Sequence, residues 1–288
     1  YIHFLKFLLI KEVHKMESIE KNIYFHVGIS KTGSTFLQNR VFPKLSKITY
    51  IPTNKYHRVF DEIKNCDSNA ILVSREFDRQ FEREVTLFSS RFPKATPIIV
   101  LRKHEEYLAS QYKRFVKNGF RGEVEDFFDL ENDKGFFKIL HLSFSYQIKV
   151  LKERFEKDPI VLFYDELRSS PRDFINYFCS LTLSDIDLEK VNFSKKHISY
   201  NEKQLKAIKT VSKYFNLKKR VVFNSPILNL FWRLYQGFFR YSILYFSLII
   251  PSFMYSKKPL VDPAYLKKVG NHFKDDWEKC LKYENREI

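Results

Sequence analysis

The sequence is short of several residue types, and each shortage excludes something. Its 288 residues include only 7 Gly, 10 Pro, 3 Cys, 2 Met and 2 Trp. So little Gly and Pro excludes collagen-like and low-complexity chains. Cys66, Cys179 and Cys280 are far apart, odd in number and free of any CxxC spacing. That excludes a disulfide framework and a zinc module, and points to a reducing compartment. A chain this long buries a full core without such staples, and its length is compatible with one or two domains. Acid is scarce too. Against 50 Lys+Arg stand 34 Asp+Glu, a net charge of +16. Such an excess implies an anionic ligand, membrane surface or polymer, and carries no information on fold. From Lys203 to Val261 there is no Asp or Glu at all, while eleven Lys and Arg fall in those 59 residues. With 44% hydrophobic and 17% aromatic residues, the chain is not disordered.

The first ten residues, Tyr1 to Ile10, are apolar but broken by His3 and Lys6, and no small-residue cleavage site follows. They match a signal peptide poorly, and read either as upstream sequence translated ahead of a start at Met16 or as an ordinary amphipathic helix. From Asn22 strand and helix signals alternate. Short β-rich runs lie at Ile23–Val27, Ile48–Pro52, Ala70–Ser74, Pro97–Leu101 and Pro159–Tyr164. Helices are expected near Arg79–Phe92, His104–Asn118 and Phe137–Lys157. Another opens at Ser170-Pro-Arg-Asp173, which reads as N-cap, Pro at N1 and an acid at N3. Strands alternating with helices predict βαβ units and a parallel sheet. Their nearly all-apolar character fits a sheet covered on both faces. The expected fold is α/β, with an extension over residues 1–21, a core over 22–202 and a helical, basic and aromatic region over 203–288.

The most informative stretch is His26-Val-Gly-Ile-Ser-Lys-Thr-Gly-Ser-Thr-Phe-Leu-Gln38. A strand feeds a loop with Gly28 and Gly33, and a helix starts near Ser34. Loop amides and a helix N-terminus aimed at one point make an anion site. The two glycines have the spacing of the Walker pattern G-x-x-x-x-G-K-[ST]. The residue after Gly33 is Ser34, however, and the lysine stands at position 31. No strand ends in an obvious magnesium-binding aspartate. A common nucleotide triphosphatase is therefore disfavoured.

Gly28-Ile-Ser-Lys-Thr-Gly-Ser-Thr-Phe-Leu-Gln38 resembles the 5′-phosphosulfate loop of sulfotransferases that use 3′-phosphoadenosine 5′-phosphosulfate (PAPS). Pro97-Ile-Ile-Val-Leu-Arg102, followed by a helix with Ser110 eight residues on, resembles the 3′-phosphate motif of the same family. Val161 to Pro171 resembles its later strand and turn. The resemblance spans about Asn22 to Asn201. Where the family often has Pro two residues after the motif Arg, this chain has His104. The Gly-rich Arg-Lys-Gly loop of the cytosolic small-molecule branch is absent, so bacterial-type or glycan-type relatives fit better.

The resemblance implies a P-loop-like three-layer sandwich with a central parallel sheet. It implies Lys31 on the bridging or leaving phosphate oxygen, with Thr32, Gly33, Ser34 and Thr35 holding the 5′-phosphate. Arg102 and Ser110 would take the 3′-phosphate. PAPS is the implied cosubstrate, with no metal, and a carbohydrate or glycan hydroxyl or amine is the acceptor. Independently of the family, open α/β sheets bind ligands beyond the carboxyl ends of their strands. Lys31, Glu76 and Arg102 all follow expected strands there, and Arg forks onto phosphate. A general base is needed near the sulfur. Glu76, just past the third strand in Leu72-Val-Ser-Arg-Glu76, is the first choice. His26, beside the loop, is its rival. His104, Asp78 and His197 are further options. Lys195 to Asn201 is a basic loop near cofactor or acceptor, or a solvated charge run. The function expected is sulfuryl transfer, with a P-loop kinase or nucleotidase, or a non-enzymatic basic module, as alternatives.

Segment 227–250 is mostly apolar, and its main polar residues, Asn229, Arg233, Gln236, Arg240 and Ser247, form one helical stripe. Its 24 residues would reach roughly 36 Å as a helix, yet Arg233 and Arg240 disfavour a span. Three readings stay open, and the disfavoured span ranks behind the other two. Of those two, one is a helix packed on the catalytic domain with its polar stripe in water. The other is an interfacial helix on an anionic membrane surface. No nucleic-acid recognition module is visible. The expected location is cytoplasmic, with peripheral attachment to the inner membrane face under the interfacial reading.

Overall fold

The computed structural model describes residues 21–194, 200–217 and 221–284. Most of the expected N-terminal extension, most of the basic loop at 195–201 and the cluster Lys218-Lys219-Arg220 lie outside the described residues. Five strands form one sheet: β1 Asn22–Gly28, β2 Thr49–Ile51, β3 Ala70–Glu76, β4 Thr96–Leu101 and β5 Ile160–Phe163. The order is β2-β3-β1-β4-β5, and every pairing is parallel. The helices in chain order are α1 Ser34–Phe36, α2 Val59–Lys64, α3 Phe81–Ser89, α4 His104–Lys117, α5 Val124–Phe127, α6 Ile139–Leu142 and α7 Phe144–Arg154. There follow α8 Tyr164–Ser169, α9 Pro171–Leu181, α10 Glu202–Tyr214, α11 Pro226–Phe246, α12 Pro263–His272 and α13 Lys274–Leu281.

The described residues divide into two compact units that are discontinuous in sequence. One runs to Leu101 and resumes over Gln147–Asn192; the other takes Arg102–Tyr146 and the residues from Phe193 on.

The first unit holds the sheet. Alternation along β1 sends Phe25 to one face and His26 to the other. Phe25 stacks on Phe88 of α3 at 3.8 Å between ring centroids, with Phe77 and Phe155 beside it. On the opposite face His26 meets the edge of Phe42, which stacks on Phe178 of α9 at 5.3 Å. Phe25, Phe42, Phe88 and Phe178 are all buried, each stabilising the sheet by roughly 1.5–3 kcal/mol. Both faces are therefore covered, as the apolar strands foretold. The chain leaves β1 toward the β2 edge and β4 toward the β5 edge. The carboxyl ends of β1 and β4 thus flank the point where connections reverse, the usual place for a ligand in an open parallel sheet.

Three local expectations need correction. The charged helix α3 is shorter than Arg79–Phe92. Ser170 precedes Pro171 at N1, but its side chain makes no capping bond. The helix expected over Phe137–Lys157 is broken at Ser143, where ψ of 93° departs from helix, into α6 and α7.

The cause of that break lies in the second unit. Asp276 of α13 accepts the Phe144 amide at 2.9 Å and the Ser145 amide at 3.3 Å, and so caps α7 from a distant part of the chain. The same carboxylate takes the Ser143 hydroxyl at 3.0 Å, the Ser145 hydroxyl at 2.5 Å and His104 Nε2–H at 3.0 Å. The buried His104 ring lies between Phe144 and Phe273, with centroids 4.3 and 4.6 Å away. A proline at this position could offer neither the stacking ring nor the donor.

Helix α11 reverses the packed reading of segment 227–250. Asn229, Gln236, Arg240 and Ser247 are sheltered, whereas Phe231, Phe238, Tyr245 and Phe246 are exposed. Among the described residues no helix is long and apolar enough to cross a membrane.

Burial alone would raise the Asp276 carboxyl, but hydrogen bonds from His104, Ser145 and Ser143 hold it down at about 2 against an ordinary 3.8. A depressed carboxyl stabilises above its unfolded value and loses that stabilisation as pH falls through the folded one. Chemical denaturation from pH 5 to pH 2 should therefore show about 2 kcal/mol of acid-labile stability that Asp276→Asn lacks. At pH 7 the same substitution should cost about 3 kcal/mol, because buried donors lose their anion.

Candidate active site

Strands β1 and β3 end side by side, with Gly28 in register with Glu76. The Phe77 amide donates to the Gly28 carbonyl at 2.8 Å and extends the ladder one residue further. Past Gly28 the chain turns sharply through Ile29 to Gly33. Two residues there are left-handed, Lys31 with φ 73° and Gly33 with φ 82°. For a lysine this conformation costs roughly 1–2 kcal/mol. Buried Thr32 closes the turn by donating its hydroxyl to the Ile29 carbonyl at 2.7 Å. Left-handed residues in such a loop can turn successive N–H groups into an anion-binding concavity. Gly33 has a second reason to lack a side chain. A Cβ there would lie 2.5 Å from Leu167 Cδ2 and 3.4 Å from the Tyr164 ring. Tyr164 and Leu167 of α8 thus lie against the loop at Gly33.

Two carboxylates already answer the loop's donors. Glu76 accepts the Ser34 hydroxyl on Oε1 and the Ser30 hydroxyl on Oε2, the latter at 3.2 Å. Asp78 Oδ1 accepts the Ser30 amide at 3.3 Å. Glu76 is half-buried, while the side chains of Lys31 and Thr35 are exposed. Since Thr32 is buried and gives its hydroxyl to Ile29, only its backbone is left to offer a ligand. The structure brings Lys31, Thr32, Gly33, Ser34, Thr35 and Glu76 together at the end of β1 and β3. The sequence reading passed over Ser30, although its place between Gly28 and Lys31 put a hydroxyl in the loop.

His26 lies beneath this arrangement. Its Nδ1 is 2.7 Å from Ser74 Oγ, which also accepts from Gln38 Nε2 at 3.0 Å. The ring is fully buried, and burial pulls its pKa from 6.5 to about 4, so it is neutral at physiological pH. Nε2 is buried with no hydrogen-bond partner. A Cβ on Gly28 would sit 3.3 Å from Cε1 of this ring. His26 therefore supports the loop from below and is shielded from solvent. The alternation that turns His26 under Gly28 was readable in the sequence; Ser74 and Gln38 as its partners were not.

Arg102 is the first residue after β4 and belongs to the second unit. Its Nε and Nη2 donate to Glu106 Oε2 at 3.1 and 2.9 Å. Ser110 follows Glu106 by four residues on α4 and is half-buried. The i, i+4 spacing puts Glu106 and Ser110 on one face of α4.

Among solved structures, the fold is similar to a sulfotransferase from Alicyclobacillus acidocaldarius. The two share 15% identity at a TM-score of 0.47, over 67% of this chain and 92% of that one. No protein-family model and no curated protein matches the sequence. The functional reading accordingly rests on the loop, the carboxylate beside it and the motifs of the chain itself.

Gly33→Ala combines an unfavourable φ with a contact of 2.5 Å. It should lower stability by more than about 1 kcal/mol in thermal melts and weaken anion binding by the loop. The buried imidazole predicts a separate acid limb. His26 takes up a proton below 6.5 when unfolded but resists it until about 4 when folded. Stability should fall by up to about 3 kcal/mol across that window. His26→Gln should flatten the limb in denaturant titrations at stepped pH.

Proposed function

We propose that the chain is a sulfotransferase that takes PAPS as sulfuryl donor and a hydroxyl or amine of a carbohydrate as acceptor. One observation carries this reading. The Glu76 carboxylate stands at the phosphate-type loop with one oxygen on the Ser30 hydroxyl and the other on Ser34. A lysine sits in mid-loop, at position 31, in place of one after the second glycine.

The residues fit the chemistry such a donor needs. The loop carries two left-handed residues, two serine hydroxyls and an exposed lysine around a single turn. PAPS supplies an activated sulfuryl group whose bond to a phosphate oxygen breaks as the bond to the acceptor forms. The chain's own part is to hold, orient and neutralise. The amides of residues 31–35, that of Ser34 among them, would bind the 5′-phosphate, and Lys31 would balance charge on its departing oxygen. Glu76 would take the acceptor proton. Serine hydroxyls on both oxygens fix its plane and leave lone pairs for that proton. Arg102 and Ser110 as ligands of the 3′-phosphate rest on motif and spacing. The absent small-molecule loop favours a carbohydrate acceptor.

Isothermal titration tests the donor. 3′-Phosphoadenosine 5′-phosphate should bind without magnesium and at least about tenfold more tightly than AMP. Arg102→Ala should weaken that binding by about 1.5–3 kcal/mol. Equal affinity for AMP would remove the 3′-phosphate assignment, and a preference for ATP with magnesium would favour a kinase. In sulfate-transfer assays on a panel of oligosaccharides, Glu76→Gln should retain nucleotide binding and lose roughly 10²–10⁴-fold in turnover. Unchanged turnover would place the base elsewhere.

A further inference from the structure

The strongest feature outside the proposed active site is helix α11, which is amphipathic and inside out. Ile227, Phe231, Leu234, Phe238, Tyr241 and Tyr245 recur at spacings of 4, 3, 4, 3 and 4 and share one face. All six are exposed, Phe231 at 65%, Phe238 at 75% and Tyr245 at 60%. The apolar surface continues past the helix in Leu248, Ile249, Phe253 and Met254, the last two 85% and 68% exposed.

The outward turn of this face is specified by bonds on the other side. Asn229 accepts the Phe223 amide at 2.8 Å and donates to the Phe223 carbonyl at 2.7 Å. Arg240 donates to Asn118 Oδ1 and to the Leu217 carbonyl, both at 3.3 Å. Gln204 Nε2 holds the Leu244 carbonyl at 3.1 Å, and Lys203 Nζ holds that of Leu248 at 3.0 Å. These bonds join α11 to α4, α10 and the segments beside them. Rolling the helix to bury its aromatics would strand the Arg240 guanidinium and the Asn229 amide. An exposed aromatic ring offers roughly 150–250 Å², so this face exceeds the few hundred Å² common on monomeric proteins.

We propose that this face docks on the surface of an anionic lipid bilayer, with α11 lying in the plane of the interface. Charge selects the occupant. The 59 residues from Lys203 to Val261 contain eleven Lys and Arg and no acid. Lys213, Arg233, Lys257 and Lys258 are exposed. Two copies of the chain meeting on this face would juxtapose two acid-free basic segments, whereas an anionic headgroup layer complements one. Aromatic and aliphatic side chains over a helix with basic flanks suit the boundary between headgroups and acyl chains. A spanning arrangement is excluded for α11, because no described helix is long and apolar enough. The inference stands on residues that the proposed sulfuryl-transfer site does not use.

Flotation of the full chain with vesicles tests it. Protein should float with phosphatidylcholine vesicles containing about 30% phosphatidylglycerol and much less with phosphatidylcholine alone. Raising NaCl from about 0.05 M to about 0.5 M should weaken binding severalfold, since exposed charges are screened. Phe238→Ser with Tyr245→Ser, at outward positions, should keep the circular dichroism and melt of the parent and lose about tenfold or more in vesicle affinity. Phe238→Trp should bind as the parent does and shift its emission to the blue on anionic vesicles. Absence of flotation at low salt would overturn the proposal, as would equal flotation of the double variant. A dimer in sedimentation equilibrium that the double variant dissociates, without vesicle binding, would assign the face to a second copy instead.

Discussion

The loop between Gly28 and Ser34 is fastened to the end of β3 chiefly by the carboxylate of Glu76. Glu76 reaches Ser30 on one side and Ser34 on the other, spanning the turn that contains both left-handed residues. The parallel register that pairs Gly28 with Glu76 puts that carboxylate within reach. Beneath it, absent side chains at Gly28 and Gly33 let the loop settle onto His26 on one side and onto Leu167 and Tyr164 on the other. Removing any of these would move the amides and Lys31 relative to one another. With the serine hydroxyls held by Glu76, the turn through Lys31 and Gly33 has the form of an anion-binding concavity of backbone N–H groups.

Much of this was legible in the sequence because it is local. Gly28, Lys31 and Gly33 announce the turn; the apolar runs announce strands covered on both faces; Glu76 falls at a strand end by counting. What escaped was set by partners far along the chain. Ser143 interrupts a helix pattern that looks continuous, because the acceptor of the next two amides is Asp276. His104 reads as a departure from a motif until Phe144, Phe273 and Asp276 are found around it. Segment 227–250 gave its periodicity plainly, but periodicity identifies two faces without saying which one is sheltered. That depended on acceptors in other segments, Asn118 and Leu217, which have no signature of their own.

The two units handle charge differently. At the loop, carboxylates are drawn in to face hydroxyls and amides. In the second unit a buried anion, Asp276, organises backbone and side-chain donors, and Lys209 donates to Tyr112 at 2.9 Å and Glu123 at 2.5 Å. Once such buried charges are matched, the remaining basic residues of the acid-free segment are left to shape the field outside the protein.

The cap that Asp276 places on α7 also constrains the order of assembly. The residues it joins are 131 to 133 positions apart, so the first turn of α7 gains its acceptor only after the chain has been made through Asp276. Until then Ser143, Phe144 and Ser145 have no internal anion to hold them, and the His104 ring lacks Phe273. Closing so long a loop late in synthesis slows completion of the second unit relative to one built from neighbouring helices. The α13 helix therefore acts as a latch. A nascent chain stalled before Asp276 would carry every strand of the first unit's sheet and an incomplete second unit, the kind of intermediate that chaperones hold.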